Sequence, residues 1–356
     1  MKIVTDSPSK TLEVEPMAGS SKNTGNAAAA GDTNRAANDA GTGSGPRHFV
    51  TLFDLTAAEA GELLDRTVRL KRGELDDRRT SLLLGRTLGL IFEKPSLRTR
   101  VSFESAMARL GGNSIFLRGK DVGLGVRESV SDFARVISQY VDVLAVRTFS
   151  QSIVEELARH ATVPVINALS DSSHPCQAMA DMVTILEQRG PLAGRKLVFV
   201  GDGNNVARSL ALASALMGLK FVLTCPAGYE FPAAFSAAFS AQFPRVPLVV
   251  EPDPRKAVKG ADVVYTDVWA SMGQEHEVDR RREVFKPYQV NEALMARARP
   301  DAIFLHCLPA HRGEEVTSGV LDGPHSQIIP QAANRMHFQM ALLLWLPGAG
   351  KRSTSR

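Results

Sequence analysis

The feature that most constrains the fold is an alternation of short apolar runs with segments of helical periodicity, which begins near Leu88 and continues to the end of the chain. Strands are predicted at 87–92, 113–117, 142–147 and 163–167, and then at 196–200, 220–224, 247–250, 262–266 and 302–306. Helices are predicted near 98–110, 129–139, 150–160, 174–188 and 205–217. Such alternation is typical of parallel sheets covered by helices on both faces, so an α/β fold with two consecutive parallel-sheet domains is expected.

Turn-rich and low-complexity segments predict the domain boundaries. Residues 1–46 are rich in Gly, Ala, Asn, Ser and Thr and are expected to be a disordered tail, as are residues 348–356. The turn-rich segment around Gly190 separates a first domain, 47–189, from a second, 190–325. The last helix, about Gln331 to Trp345 within 326–347, is apolar nearly all round, so it is expected to be buried and to pack back on the first domain.

Composition excludes several classes of protein. The net charge is only +4 and the basic residues form no stripe, so no nucleic-acid partner is expected. No apolar run approaches the ~20 residues that span a bilayer, and no secretory or transit signal is recognisable, so no membrane partner is expected either. Cys176, Cys225 and Cys307 are far apart, which favours a reduced, cytoplasmic setting.

A cluster of hydroxyls and guanidiniums lies at one predicted strand–helix junction. Ser96, Arg98, Thr99 and Arg100 follow the strand 87–92 and begin a helix whose apolar stripe includes Phe103. The free N–H groups and positive dipole of a helix N-terminus favour an anion, and Arg adds bidentate donors that match phosphate oxygens. An isolated Ser-x-Arg-Thr-Arg is equally compatible with an ordinary capped helix and solvated arginines.

Other polar clusters also follow predicted strands, where parallel sheets bind ligands. They are Arg147, the segment 167–177 with His174-Pro175-Cys176-Gln177, the segment 201–205, the segment 267–273 and His306-Cys307-Leu308-Pro309.

Three other types of site have little support in these clusters. The Gly201-x-Gly203 loop has Val206 at the third glycine position of a dinucleotide motif. His306, His311 and Glu315 have no recognisable zinc spacing, and no G-x-S-x-G nucleophile elbow occurs. Neither a metal nor a cofactor is therefore expected.

Taken together, the clusters resemble one family. Ser96-Leu97-Arg98-Thr99-Arg100 and His174-Pro175-Cys176-Gln177 are similar to motifs shared by the carbamoyltransferases. Asp267 with Ser271-Met272-Gly273, and His306-Cys307-Leu308-Pro309, resemble the ornithine branch of the aspartate/ornithine carbamoyltransferase superfamily. Order and spacing agree over about residues 48–347.

The resemblance implies that the chain transfers the carbamoyl group of carbamoyl phosphate to the δ-amine of L-ornithine, without a metal or a covalent intermediate. The implied carbamoyl phosphate ligands are Ser96, Leu97, Arg98, Thr99, Arg147, His174, Gln177, Cys307, Leu308 and Arg335. The implied ornithine ligands are Asn205, Asp267, Ser271 and Met272. Arg98, His174 and Cys307 carry the implied catalytic roles; Cys307 would orient the amine, and whether it accepts a proton stays open.

The resemblance also implies a homotrimer, or a multiple of trimers, with sites at subunit contacts. Family members commonly place Gln or His near Gly123, where it reaches a neighbouring site, and glycine cannot supply that contact. Leu97 stands where the family often has Thr, but its backbone N–H can still serve. Two alternatives remain open: a relative that uses another amine, such as putrescine or an N-acylated ornithine, and a catalytically silent binding protein. The direction of the reaction, biosynthetic or catabolic, is not indicated.

Overall fold

Two parallel β-sheets form the centres of two α/β domains in this computed structural model, as the alternation predicts. The structure describes residues 45–74, 81–270 and 277–346. The tails predicted to be disordered, 1–46 and 348–356, lie outside the described residues except for Gly45 and Pro46.

The first sheet has four strands in the order β2-β1-β3-β4. Their bounds are β1 Thr87–Phe92, β2 Asn113–Arg118, β3 Val143–Arg147 and β4 Val165–Leu169. All three pairings are parallel, and Phe92 at the end of β1 lies opposite Arg147 at the end of β3. The central strands β1 and β3 are apolar and buried along nearly their whole length, because helices cover both faces of the sheet.

Six helices accompany this sheet. They are α1 Ala57–Arg72, α2 Leu97–Arg109, α3 Gly119–Val122, α4 Val130–Ile137, α5 Gln151–His160 and α6 Pro175–Arg189. Local sequence explains their ends: Thr56 and Glu59 form a capping box at the start of α1, and Gly73 ends it in the left-handed conformation with φ 79°. Hydroxyl caps at Ser96, Ser129 and Ser150 start α2, α4 and α5.

The second sheet has five parallel strands in the order β7-β6-β5-β8-β9. The strands are β5 Lys196–Val200, β6 Lys220–Thr224, β7 Val249–Val250, β8 Val263–Thr266 and β9 Ile303–His306. The helices are α7 Asn205–Met217, α8 Ala233–Gln242, α9 Pro254–Ala257, α10 Val278–Phe285, α11 Glu292–Met295 and α12 Ser318–Leu321, with a 3₁₀ turn at Lys286–Tyr288. Another 3₁₀ turn, Leu52–Asp54, precedes α1.

The last helix, α13 Ile328–Trp345, returns to the first domain and packs against α1, α2 and α6 while also touching β9. Its buried residues, which include Phe338 and Leu342, lie on several sides, and the Phe338 ring is 6.0 Å from that of Phe49. The prediction of a buried helix that bridges back is therefore confirmed. No helix among the described residues is long and apolar enough to cross a membrane.

The main differences from the predicted elements have local causes. Helix α13 begins three residues before Gln331, because Pro330 is tolerated in the first turn of a helix. Strand β4 begins at Val165, after Pro164, which contributes only its carbonyl oxygen as the acceptor for Leu144 N–H at 2.9 Å. Helices α3 and α8 to α12 were not predicted. Along α8, Phe235, Phe239 and Phe243 follow one another at intervals of four residues.

Candidate active site

The strand orders create a crevice in each sheet. After β1 the chain continues to β2 on one side, whereas β3 lies on the other side, so the loops that follow β1 and β3 diverge. In the second sheet the same divergence separates the loops after β5 and β8. Ligands of parallel sheets bind at such points, beyond the carboxyl ends of the strands. The predicted clusters around Ser96, Arg147, Asn204 and Asp267 all lie there.

The junction of β1 and α2 is a capped helix start whose hydroxyls form a small network. Thr99 N–H donates to the Ser96 side chain at 3.3 Å, and the Ser96 hydroxyl donates to Thr99 Oγ1 at 2.9 Å. Leu97 is 78% exposed and Arg98 is also exposed. Arg98 has no hydrogen-bond or ion-pair partner among the described residues, so its guanidinium is available at the edge of the site.

Two buried guanidiniums face this helix start. Arg335 of α13 is only 5% exposed and donates from Nη2 to Thr99 Oγ1 at 2.7 Å, and Arg147 at the end of β3 is 7% exposed. Within the described ranges neither forms an ion pair with a carboxylate, and the Nε atoms of both lack hydrogen-bond partners. Burial, with repulsion from Arg335, lowers the pKa of Arg147 to about 10. Buried cations that form no ion pair are costly, so this arrangement is suited to a bound anion.

His174 and Gln177 enter the same space from the start of α6. The backbone N–H of His174 donates to Ser209 Oγ of α7 at 2.8 Å, which ties this helix start to the second domain. Burial, followed by repulsion from Arg335 and Arg147, lowers the pKa of His174 well below its ordinary value. The imidazole is therefore neutral at pH 7, and its Nδ1 has no hydrogen-bond partner among the described residues.

The second half of the site centres on Asp267, which follows β8. It accepts hydrogen bonds from the Cys307 thiol at 3.0 Å and from Asn204 Nδ2 at 3.1 Å. Burial, and then the charge of Asp267, raises the pKa of Cys307 well above its ordinary value, so the thiol stays protonated at neutral pH. The neighbouring Asn205 is not bonded to Asp267, because its Nδ2 donates to the Ser170 carbonyl oxygen at 2.7 Å.

Leu308, next to Cys307, has a φ of +59°, which is uncommon for a residue with a side chain. Its N–H donates to His306 Nδ1 at 2.8 Å, and His306 Nε2 lies 3.2 Å from Glu315 Oε1. These contacts hold a backbone conformation that costs about 1–3 kcal/mol, as is common at binding sites.

Most of the predicted site residues come together, but not all. The first group is Ser96, Thr99, Arg147, His174, Gln177 and Arg335, and the second is Asp267 and Cys307. The two groups are joined by Gln331, whose amide binds the backbone N–H of His306, next to Cys307, and the Asp181 carboxylate that also binds Gln177. The Leu97 and Arg98 side chains point to solvent, and Ser271 and Met272 lie outside the described residues.

Asn204, which lies in the predicted segment 201–205, binds Asp267. Sequence reasoning missed two residues that support this site, Asp181 and Gln331: the Asp181 carboxylate accepts hydrogen bonds from Gln331 and from Gln177. One signal was available, since Asp181 lies four residues after Gln177 and therefore on the same face of α6.

Two groups of three side chains have ligand atoms within 4.8 Å of one another. They are Asp267, His306 and Cys307, and His311, Glu314 and Glu315. In the first group, Asp267 already accepts hydrogen bonds from Cys307 and Asn204, and His306 accepts one from the Leu308 N–H. In the second group, Glu314 forms an ion pair with Arg282. Neither group is assigned to a metal here.

Comparison with known proteins agrees with this geometry. Residues 47–187 match the family model "Aspartate/ornithine carbamoyltransferase, carbamoyl-P binding domain", and residues 193–346 match "Aspartate/ornithine carbamoyltransferase, Asp/Orn binding domain". The ornithine carbamoyltransferase of Anoxybacillus flavithermus is 52% identical over 302 residues, which are 84% of this chain and 96% of that protein. The anabolic ornithine carbamoyltransferase of Pyrococcus furiosus is 48% identical over 312 residues, 86% of this chain and 98% of that protein.

Solved structures show the same relationship. The ornithine carbamoyltransferase structure from Pyrococcus furiosus superimposes with a TM-score of 0.81 at 48% identity and covers 86% of this chain and 99% of that one. A mitochondrial ornithine carbamoyltransferase from Coccidioides immitis superimposes with a TM-score of 0.77 at 37% identity, with coverage of 84% and 96%.

Proposed function

The chain belongs to the aspartate/ornithine carbamoyltransferase family, and from that premise we propose how its residues perform the reaction. Its activity is that of an ornithine carbamoyltransferase: carbamoyl phosphate and L-ornithine give L-citrulline and phosphate. The observation that carries the site assignment is the pair of buried guanidiniums, Arg147 and Arg335, which have no carboxylate partner among the described residues. We place the first substrate there.

The phosphate group of carbamoyl phosphate is proposed to lie between α2 and the two buried arginines. Its negative charges would offset the repulsion between Arg147 and Arg335, and the first-turn N–H groups of α2 would add donors. Ser96 and Thr99 supply hydroxyls, and Arg98 would approach from the exposed side. Because phosphate is also the leaving group, the same contacts stabilise the charge that it gains during the transfer.

The carbamoyl oxygen is proposed to face Thr99 and His174. Thr99 Oγ1 accepts from Arg335 and Ser96, so its own proton is free to be donated elsewhere. His174 is neutral and can donate one ring N–H. These donors are suited to the oxyanion that develops as the amine attacks, while the Gln177 amide meets the carbamoyl nitrogen.

Ornithine is proposed to bind at Asp267, whose carboxylate suits an α-ammonium group, with Asn205, Ser271 and Met272 completing the subsite. The protonated thiol of Cys307 lies between Asp267 and the carbamoyl phosphate side, where it can orient the δ-amine. Leu308 borders the same space through its backbone. Holding the two substrates next to each other in the reactive orientation contributes a large part of the rate acceleration of a reaction between two molecules.

The assembly is proposed to be a homotrimer or a multiple of trimers that contact one another near the site. Supporting this, the first domain exposes several large apolar side chains close to α2 and β2: Leu97, Val101, Ile115 and Val126. Val126 is 92% exposed and lies just beyond Gly123, whose φ of +63° ends α3. A glutamine at that position would be strained, so no glutamine side chain is proposed to reach a neighbouring site from here.

The remaining assignments are also proposals. The domains are proposed to meet near Gly190, with residues 47–189 binding carbamoyl phosphate and 190–325 binding ornithine. A cytoplasmic location is supported by three free cysteines. The biosynthetic direction is supported by relatives from Pyrococcus furiosus and Campylobacter jejuni that are named anabolic.

One assay tests the substrate assignment. Citrulline formation from carbamoyl phosphate is measured with L-ornithine, putrescine and N-acetylornithine in parallel. Turnover with ornithine at least about 100-fold above the other two amines is expected, because each lacks a group that Asp267 or its neighbours would bind. Turnover with another amine but not with ornithine would refute the assignment, and no turnover with any would support the silent binding protein.

A further inference from the structure

A buried chain of hydrogen bonds runs from β9 through α13 to α6 and ends at Gln177. Its members are His306, Gln331, Asp181 and Gln177, all of them almost completely buried. We propose that this chain, with Asp181 as its positioning residue, turns the Gln177 amide so that Oε1 faces the carbamoyl group. The site then selects a ligand that carries an NH₂ group. The inference rests on the proposed function, because it assumes that the carbamoyl group lies beside Gln177.

The first link fixes the amide of Gln331. The backbone N–H of His306 donates to Gln331 Oε1 at 2.9 Å. A backbone N–H can only donate, so the oxygen of this amide must be on that side and its nitrogen on the other. Gln331 Nε2 accordingly donates to Asp181 Oδ1 at 2.7 Å and to the Tyr265 hydroxyl at 3.1 Å.

The second link fixes the role of Asp181. Its Oδ1 accepts from Gln331, and the same oxygen lies 2.7 Å from Gln177 Nε2, which must therefore be the donor. Burial raises the pKa of Asp181 to about 7, so the carboxyl group can take up a proton near neutral pH. The proton has room on Oδ2, which has no hydrogen-bond partner in the described part of the chain. Oδ1 is an acceptor in both states.

The third link is the consequence for the site. With Nε2 committed to Asp181, Gln177 Oε1 points away from it, buried and without a hydrogen-bond partner among the described residues. Gln177 lies one turn after His174, on the face of α6 that meets Arg335 and Arg147. A buried acceptor without a partner strengthens the binding of a ligand that donates a hydrogen bond to it. A carbamoyl NH₂ group can donate this bond, and an acetyl methyl group cannot. Without Asp181 the amide could rotate and present NH₂ instead.

The test compares two phosphonates that differ only at this group. Phosphonoacetamide has the carbamoyl NH₂, and acetonylphosphonate has a methyl group in its place. Inhibition constants for both are measured on the full-length enzyme, with inorganic phosphate as a third ligand. The wild type should bind the amide about tenfold or more tightly than the ketone. Asp181→Leu should reduce that ratio to about one to three, while the inhibition constant of phosphate changes less than about threefold.

Matched variants separate orientation from general damage. Asp181→Asn keeps an acceptor for both amides and should retain the ratio. Thr184→Val removes a buried hydroxyl one turn further along α6, where Asn334 binds it at 3.0 Å, and should also leave the ratio unchanged. Should Asp181→Leu not fold, Asp181→Ala removes the same acceptor without adding volume and has the same expected result.

The possible outcomes are distinguishable. A wild-type ratio retained in Asp181→Leu or Asp181→Ala would overturn the inference, as would an equal loss in Thr184→Val or in Asp181→Asn. Failure of the wild type to bind phosphonoacetamide or phosphate at all would instead contradict the proposed carbamoyl phosphate site. A wild type that binds both phosphonates equally would show that Gln177 does not select the NH₂ group.

Discussion

Replacing Arg335 with Met should weaken phosphate binding and, at the same time, stabilise the unliganded protein. Arg335 is 5% exposed, has no carboxylate partner among the described residues and is electrostatically coupled to Arg147 and His174. Burial lowers its pKa, although the charge of Asp181 acts in the opposite direction. The free protein therefore holds a desolvated cation whose favourable contacts include one hydrogen bond to Thr99.

The two effects can be estimated separately. Loss of the Thr99 hydrogen bond lowers the free energy of unfolding by about 1 kcal/mol. Replacement of a buried charge that forms no ion pair by an apolar side chain of similar length raises it by several kcal/mol. A net gain of about 1–3 kcal/mol in the free energy of unfolding is expected, or a rise of roughly 2–5 °C in Tm. Charge-assisted bonds to phosphate contribute about 1.5–3 kcal/mol each, so the loss of a bidentate contact should weaken carbamoyl phosphate binding by roughly 100-fold or more.

The assay is thermal unfolding in phosphate-free buffer at one fixed protein concentration, repeated over a series of phosphate concentrations. Wild type should show a low Tm that rises with phosphate, and Arg335→Met should show a higher Tm that hardly moves. Arg69→Met is the control, because Arg69 is exposed on α1 and paired with Asp65. A fall in Tm for Arg335→Met comparable to that of a core truncation, or an unchanged response to phosphate, would refute the reasoning.

Three further predictions concern other parts of the chain. Arg98→Ala should weaken carbamoyl phosphate binding about tenfold or more, because a charge-assisted contact to phosphate is lost. The stability of the protein should change little, because the side chain is exposed and has no partner among the described residues. An unchanged affinity in titration calorimetry would contradict a role for Arg98 in the site. Burial lowers the pKa of His48 to about 4, so below pH 6.5 the unfolded chain binds more protons than the folded protein does. About 2 kcal/mol of the free energy of unfolding should therefore be lost as the pH falls from 6.5 towards 4. His48→Asn, which keeps an acceptor for Val165 N–H, should show a shallower loss in urea titrations at each pH, and an identical slope would contradict this origin. Burial raises the pKa of Cys176 and of Cys225 to about 12, and it raises the pKa of Cys307 well above its ordinary value. Iodoacetamide at pH 8 should therefore label all three thiols at least about 100-fold more slowly in the native protein than in urea. Rapid native labelling of Cys307, followed by mass spectrometry, would show that its thiol is more acidic than this environment implies.

All nine strands among the described residues, and the helices α2, α4 to α7 and α13, were predicted from local sequence, whereas α3 and α8 to α12 were not. The apolar runs that became β1, β5 and β6 are continuous and bounded by polar or turn residues, so their bounds agree with the prediction. The capping hydroxyl of Ser96 indicated a helix start, because free N–H groups at a helix terminus need local acceptors. Polar residues directly after apolar runs, including Arg147 and Asp267, marked ligand positions because parallel strands share one carboxyl edge.

The partners of those residues depended on tertiary packing. Arg335 lies 236 residues after Thr99 in the chain, and only the return of α13 onto α2 brings them within 2.7 Å. The same return places Gln331 between His306 and Asp181, which sets an amide orientation that no spacing pattern encodes. Sequence periodicity reports which side chains share a face of one element. Whether a charge is paired, and which way an amide turns, depends on groups that packing supplies from distant parts of the chain.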